Sequence, residues 1–188
     1  MLFASAKILF WKYGIKKVSV EEIAKEVGVS KMMFYRLFNN KMTLVKALLN
    51  GIAKEGFEVY NETMFSKLSF PDKVKQMVLE ILKTAEGISQ DFMRDVFIGE
   101  DSELQDLFTS HQTEMKNTLI AEFTKAQKES WFRQYLSMDF IMYMSDDMQT
   151  KSGDPRFLEL HKDNVTEAIV KLTSVFFCGV IPLKEHKA

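Results

Sequence analysis

Apolar residues at Val20, Ile23, Ala24 and Val27 recur at i, i+3, i+4 and i+7, with Glu21, Glu22, Lys25 and Glu26 between them. This period predicts a short helix with one buried stripe and one wet face. Ser19 and Glu22 are spaced as a capping box, in which each side chain accepts the other residue's backbone N–H. Gly28 ends the helix, because glycine enters the left-handed conformation of a helix C-terminus without a Cβ penalty. Ser30 is then placed to cap a second helix with two faces, Phe34, Leu37 and Phe38 on one and Met32, Met33 and Arg36 on the other. The first face is expected to pack on the Val20 to Val27 stripe. The second is left free to enter a DNA major groove, which is about wide enough for one α-helix. Lys31 and Tyr35 stand at the margins, suited to phosphate oxygens.

A preceding helix reads from Leu2, Ala6, Leu9, Phe10 and Tyr13 and ends at Gly14, which completes a three-helix module. After Asn40, a plausible N-cap, Val45, Leu48, Leu49 and Ile52 open a longer helix that continues towards Met64. Gly51 and Gly56 inside it each cost about 1 kcal/mol relative to Ala, so a bend or close packing is expected there. Pro71 suits a first helical turn, after which Val74, Met77, Val78, Ile81, Leu82 and Ala85 repeat at three and four residues until Gly87. A short segment over 90–98 holds Phe92, Met93, Val96 and Phe97, and Gly99 interrupts it. Ser102 and Gln105 form a second candidate capping box, opening a helix with Leu104, Leu107, Phe108, His111, Met115, Leu119 and Phe123 on one face. Residues 130–148 are apolar on nearly every side of a helix and call for burial against more than one partner. Asp154 with Pro155 opens a last long helix, on which Val165, Ile169, Leu172 and Phe176 follow a 4, 3, 4 spacing. The expected fold is all-α: a helix-turn-helix module over 1–45, then a larger helical domain over 46–188.

Charge sharpens this division. Residues 1–54 hold 10 Lys or Arg against 3 Asp or Glu, net +7, and residues 55–188 hold 15 against 23, net −8. The overall charge of −1 therefore hides a basic head on an acidic body, an asymmetry that suits nucleic-acid contact by one end. A solvated basic surface is the bland alternative. At 188 residues with 46% hydrophobic content the chain can bury about 70% of its unfolded surface. No run approaches the roughly 18 apolar residues of a membrane-spanning helix, and the first residues lack a basic leader segment. The single Cys178 excludes an intramolecular disulfide and fits a reducing cytoplasm.

From Ile8 to Leu48 the chain resembles the TetR-type transcriptional regulators. The residues that carry the likeness are Phe10, Gly14, Ser19, Ile23-Ala24, Gly28-Val29-Ser30, Phe34-Tyr35-Arg36-Leu37-Phe38 and Lys41. The resemblance implies that Ser19, Tyr35 and Lys41 contact phosphates and that Lys31, Met32, Met33 and Arg36 face the groove, with Ser30 at the start of the recognition helix. Two departures stand out. The chain begins inside its first helix, whereas family members commonly carry a basic segment before it, and Met33 replaces a small hydroxyl residue. A thioether cannot donate to a base or phosphate, although it packs on thymine methyl groups.

The resemblance further implies a homodimer, in which the last two long helices of each subunit pair through Tyr143, Val165, Ile169, Leu172 and Phe176; completion of a monomeric core is the alternative. It also implies a small-molecule effector held in the body, for which Met77, Ile81, Phe92, Phe97, His111, Met115, Phe132 and Tyr135 are the candidate lining. The 16 Phe and 12 Met of the chain suit an apolar or aromatic ligand, and equally suit ordinary core filling. His111 reads either as a core histidine satisfied by one partner or as a ligand contact. No His or Cys cluster forms a metal set, and no nucleophile with a base partner or phosphate-cradling glycine loop is present, so neither cofactor nor enzyme activity is expected. The expectation is a cytoplasmic repressor that leaves double-stranded operator DNA when its effector binds. A constitutive DNA-binding protein and an α-helical enzyme or lipid carrier are the rivals.

Overall fold

The first helix, α1 (Leu2–Tyr13), stops where Gly14 takes φ +83 and returns its N–H to the Phe10 carbonyl at 2.8 Å. Helix α2 (Val20–Val27) opens on the expected reciprocal cap: Ser19 Oγ accepts the Glu22 N–H at 3.2 Å and the Glu22 carboxylate accepts the Ser19 N–H at 2.7 Å. Gly28, at φ +74, closes it. The N–H groups of Gly28 and Val29 return to the carbonyls of Lys25 and Ala24 at 3.1 and 2.9 Å, which satisfies two of the orphan acceptors of the last turn. Helix α3 (Lys31–Leu37) starts at Ser30, whose Oγ accepts the Met33 N–H at 3.1 Å, and α4 (Lys41–Phe65) at Asn40, whose Oδ1 accepts the Thr43 N–H at 2.8 Å. Then follow α5 (Phe70–Ala85), α6 (Gln90–Phe97), α7 (Ser102–Lys128), α8 (Met138–Ser152), α9 (Pro155–Leu160) and α10 (Val165–Val180). The computed structural model describes residues 2–97, 99, 101–161 and 164–181, and among these there are ten helices and no strand.

Four local expectations change. Helix α7 is capped one residue earlier than predicted, because the Asp101 carboxylate accepts the N–H groups of Glu103 and Leu104 at 3.0 and 3.1 Å, which places Ser102 inside the helix. The apolar run over 130–148 is not one helix: Ser130 takes φ +63, the Trp131 N–H returns to the Ala126 carbonyl at 2.9 Å, and Ser137 caps a fresh start at α8. The last long helix is likewise two. His161 closes α9 and the Asn164 side chain, accepting the Glu167 N–H at 2.9 Å, caps α10. At Gly51 and Gly56 an added Cβ meets nothing within 4 Å, so close packing does not explain either glycine.

The chain divides into two compact units, Met1–Phe57 with Gly87–Thr109 and Glu58–Glu86 with Ser110–Ala188. In the first, α1 packs on α2 and α6, and α2 on α3, around the fully buried Ala6, Phe10, Ile23, Phe34, Leu44 and Val45. In the second, α10 packs on α5 and α8, and α8 on α9. Its centre is aromatic: Phe132 lies edge-on to Phe70 and Phe123 with centroids 4.8 and 5.0 Å away, and Phe123 meets Phe177 at 6.3 Å. Such pairs contribute about 0.5–1.5 kcal/mol each beyond their burial. Lys73 is buried beside this cluster, where it donates to the Met64 carbonyl and lies 3.9 Å from the Glu122 carboxylate. Burial, reinforced by the Glu122 charge, holds the Tyr60 hydroxyl above its ordinary pKa.

Candidate nucleic-acid interface

Helix α3 is held from behind by one residue. Phe34 is fully buried, with Tyr35 edge-on to it at 5.5 Å and Phe38 at 5.9 Å. On the opposite side Met32 and Met33 are 69% and 45% exposed, and Tyr35 and Arg36 are also exposed. The two predicted faces hold with one correction: Leu37, assigned to the inner face, is 57% exposed. It lies four residues after Met33 and so shares Met33's side of the helix, while Phe38 leaves the helix in extended backbone (φ −136, ψ 127) and turns inward, where Phe3 meets it edge-on at 5.9 Å. The outward arc is therefore Met32, Met33, Arg36 and Leu37.

The polar residues expected at phosphates are placed in different ways. Ser19 and Ser30 are occupied as helix caps, each with its backbone at the end of a helix that the head presents. Lys31, exposed, pairs with Glu21; the pair raises the lysine and lowers the carboxylate pKa, and so exposed a pair contributes little to stability. Lys41, expected at a phosphate, has its ammonium engaged with backbone carbonyls of its own head. Its ammonium donates to the carbonyls of Ile15 and Val18 at 2.8 and 2.9 Å, with Lys16 at 3.4 Å, and partial burial pushes its pKa down despite Asp95 and Glu22 nearby. Its three donors hold together the turn between α1 and α2.

That turn is gripped from its other side by α6, which the sequence analysis did not connect to the head. Asp95 Oδ2 accepts the Lys16 N–H at 2.9 Å, Asp91 Oδ2 pairs with Lys17 Nζ at 2.5 Å, and the Ser89 N–H donates to the Trp11 carbonyl at 2.8 Å. The Trp11 and Phe92 rings lie 4.3 Å apart. Asp91 and Asp95 are spaced i, i+4 opposite Lys16-Lys17, but a pairing across some 75 residues leaves no local signal in the chain.

The candidate ligand lining has members in each unit. Phe132 belongs to the aromatic cluster of the second unit and Met77 packs against it; Ile81 is half-buried one turn further along α5, and His111 is half-buried on α7. Phe92 belongs to the first unit, and Tyr135 is 77% exposed. The side chains of Phe97 and Met115 lie outside the described residues. Of the candidate interface residues, Tyr143 is exposed on α8, Ile169, Leu172 and Phe176 are half-buried on α10, and Val165 is buried at its start. Phe140 and Met144 on α8 and Val175, 70% exposed on α10, are further exposed apolar residues outside the predicted set.

Residues 2–48 match the family model described as bacterial regulatory proteins, tetR family. Among curated proteins no sequence matches the chain. The fold of the whole chain is similar to that of a transcriptional regulator from Saccharomonospora viridis in complex with choline (TM-score 0.72, 14% identity, 97% of this chain and 96% of that one). It is also similar to the fatty acid degradation regulator FadR from Bacillus halodurans (TM-score 0.70, 17% identity, 95% and 93%). A third likeness is to the ketosteroid transcriptional regulator KstR2 of Mycobacterium tuberculosis (TM-score 0.63, 16% identity, 97% and 94%). Residues 2–48 thus form a TetR-family helix-turn-helix domain, and over its length the chain shares the fold of the regulators named above.

Proposed function

We propose that the protein is a homodimeric, ligand-responsive repressor in the cytoplasm, with residues 1–45 binding operator DNA and residues 46–188 regulating and dimerising. The observation that carries the reading is the outward arc of α3 over a buried Phe34, on a head with a net charge of +7 in its first 54 residues. Among the described residues no helix is long and apolar enough to cross a membrane, and no group of three or more His, Cys, Asp or Glu residues stands ready to hold a metal.

The dimer is proposed through α8 and α10, which pack side by side and expose Phe140, Tyr143, Met144 and Val175. A two-fold dimer carries two recognition helices, which suits a palindromic site with half-sites about one DNA turn apart. The ligand is proposed to be apolar or aromatic and to lie against Met77 and Phe132, with buried Lys73 and Glu122 as the nearby polar pair. The neighbour in complex with choline supports this fold as a holder of small molecules. Release requires the ligand to bind best to a conformer whose two recognition helices no longer match adjacent grooves.

Compounds that raise the thermal stability of the chain in a screen of apolar and aromatic molecules test the regulatory part. Each is added to a titration of the chain on its selected duplex, with the mass of the protein monitored by light scattering. Weaker duplex binding with the dimer intact is expected. Stabilising compounds that leave duplex affinity unchanged favour a constitutive DNA-binding protein.

A further inference from the structure

Resting on the reading that α3 enters the major groove, we propose that the head selects its half-site through thymine methyl groups, with Arg36 supplying one polar contact among them. Three of the four outward side chains carry no hydrogen-bond donor: Met32, Met33 and Leu37. A thioether is a weak acceptor and leucine is none, so these positions cannot read the donor and acceptor pattern that tells the base pairs apart. The major-groove edges offer one apolar feature, the C5-methyl of thymine. Against any other edge, an apolar side chain strips water from a polar base atom and returns no hydrogen bond. Against a methyl group it removes two apolar surfaces from water together.

The geometry suits this role. At 100° per residue Met32, Arg36, Met33 and Leu37 follow one another around less than half of the helix, with Arg36 between the two methionines and Leu37 directly after Met33 along its row. The backbone of the helix is fixed by the Ser30 cap and the buried Phe34, whereas the unbranched methionine side chains adapt to the positions of the methyl groups. An apolar protein partner for the same arc is disfavoured by its setting, because Arg36 lies within it, Lys31 stands at its margin and the head carries a net charge of +7 in its first 54 residues, complementary to a phosphate-lined groove. The half-site expected is a guanine with thymines beside it.

The full chain and the duplex it selects from a random DNA pool supply the test. Each thymine is replaced in turn by uracil, which keeps every hydrogen-bonding group and removes only the methyl. Replacement at the thymines facing α3 is expected to weaken binding about fourfold each. Met32→Ala or Leu37→Ala, exposed substitutions that spare the core, are each expected to weaken binding to the thymine duplex and to erase the thymine–uracil difference at one position. A duplex that is selected and bound tightly, yet is indifferent to uracil at every position, overturns the proposal and leaves DNA reading intact. A chain that selects no duplex overturns DNA reading itself.

Discussion

The Asp95 carboxylate accepts the backbone N–H of Lys16 at 2.9 Å, so that α6 holds the turn that leads from α1 into α2, the first helix of the DNA-binding motif. The fit is close at Gly14: a Cβ there would stand 2.8 Å from Asp95 Oδ2, 3.0 Å from Asp91 Cβ and 3.2 Å from the Asp91 backbone, at φ +83. Gly14→Ala therefore meets both a backbone penalty of about 1–2 kcal/mol and a collision with α6. In chemical denaturation it should destabilise the chain by more than that penalty alone. In an Asp95→Ala background, where the nearest atom is gone, the cost should fall; an equal cost in both backgrounds would remove Asp95 from the account.

Lys41 and Arg36 separate a structural cation from a reading one. Lys41→Ala leaves the Ile15 and Val18 carbonyls without their donor, and a loss of about 1–3 kcal/mol in stability is expected. Arg36→Ala should leave the melting temperature unchanged and weaken duplex binding by about 1–3 kcal/mol, with relaxed preference at one guanine. Thermal melts and duplex titrations of both variants check the pair. If Lys41→Ala melts like the parent and lowers only the salt dependence of binding, its role is that of a phosphate contact.

The α2 cap makes stability depend on acid. Hydrogen bonds from the Ser19 backbone and hydroxyl hold the Glu22 pKa below its ordinary 4.5. A carboxylate lowered in this way stabilises the fold above the unfolded value, and its contribution is lost as pH falls through the folded one. The stability gap between the parent and Glu22→Gln should thus be full at neutral pH and close on acidification below 4.5. A gap that is constant down to about pH 3 would show that the Glu22 charge contributes nothing to the cap.

Val175→Glu tests the α8 and α10 surface. The side chain is exposed within one chain, so the variant should fold, and a charge buried in the proposed subunit contact should dissociate it. Sedimentation should give monomers for the variant and dimers for the parent, with duplex affinity falling in parallel. A variant that remains dimeric places the interface elsewhere.

Features settled within one helical turn were legible in the chain. Ser19 with Glu22, Gly28, Ser30 and Asn40 act where spacing predicts, because a cap and its target N–H are three residues apart. Competition between adjacent candidates was less legible: Asp101 takes the cap assigned to Ser102, and Asn164 restarts a helix that periodicity ran through. Leu37 shows the limit of face assignment near a helix end: it shares the side of Met33, while Phe38 leaves the helix in extended backbone and meets Phe3 and Phe34. The Asp95 grip and the carbonyl ligands of Lys41 depend on tertiary approach and leave no trace in local spacing.

Selection of bound duplexes from a random DNA pool by the purified full chain tests the central claim most directly. A two-fold symmetric consensus is predicted, with half-sites about one helical turn apart. Recovery of a pool no different from the input would contradict DNA reading by Met32, Met33, Arg36 and Leu37.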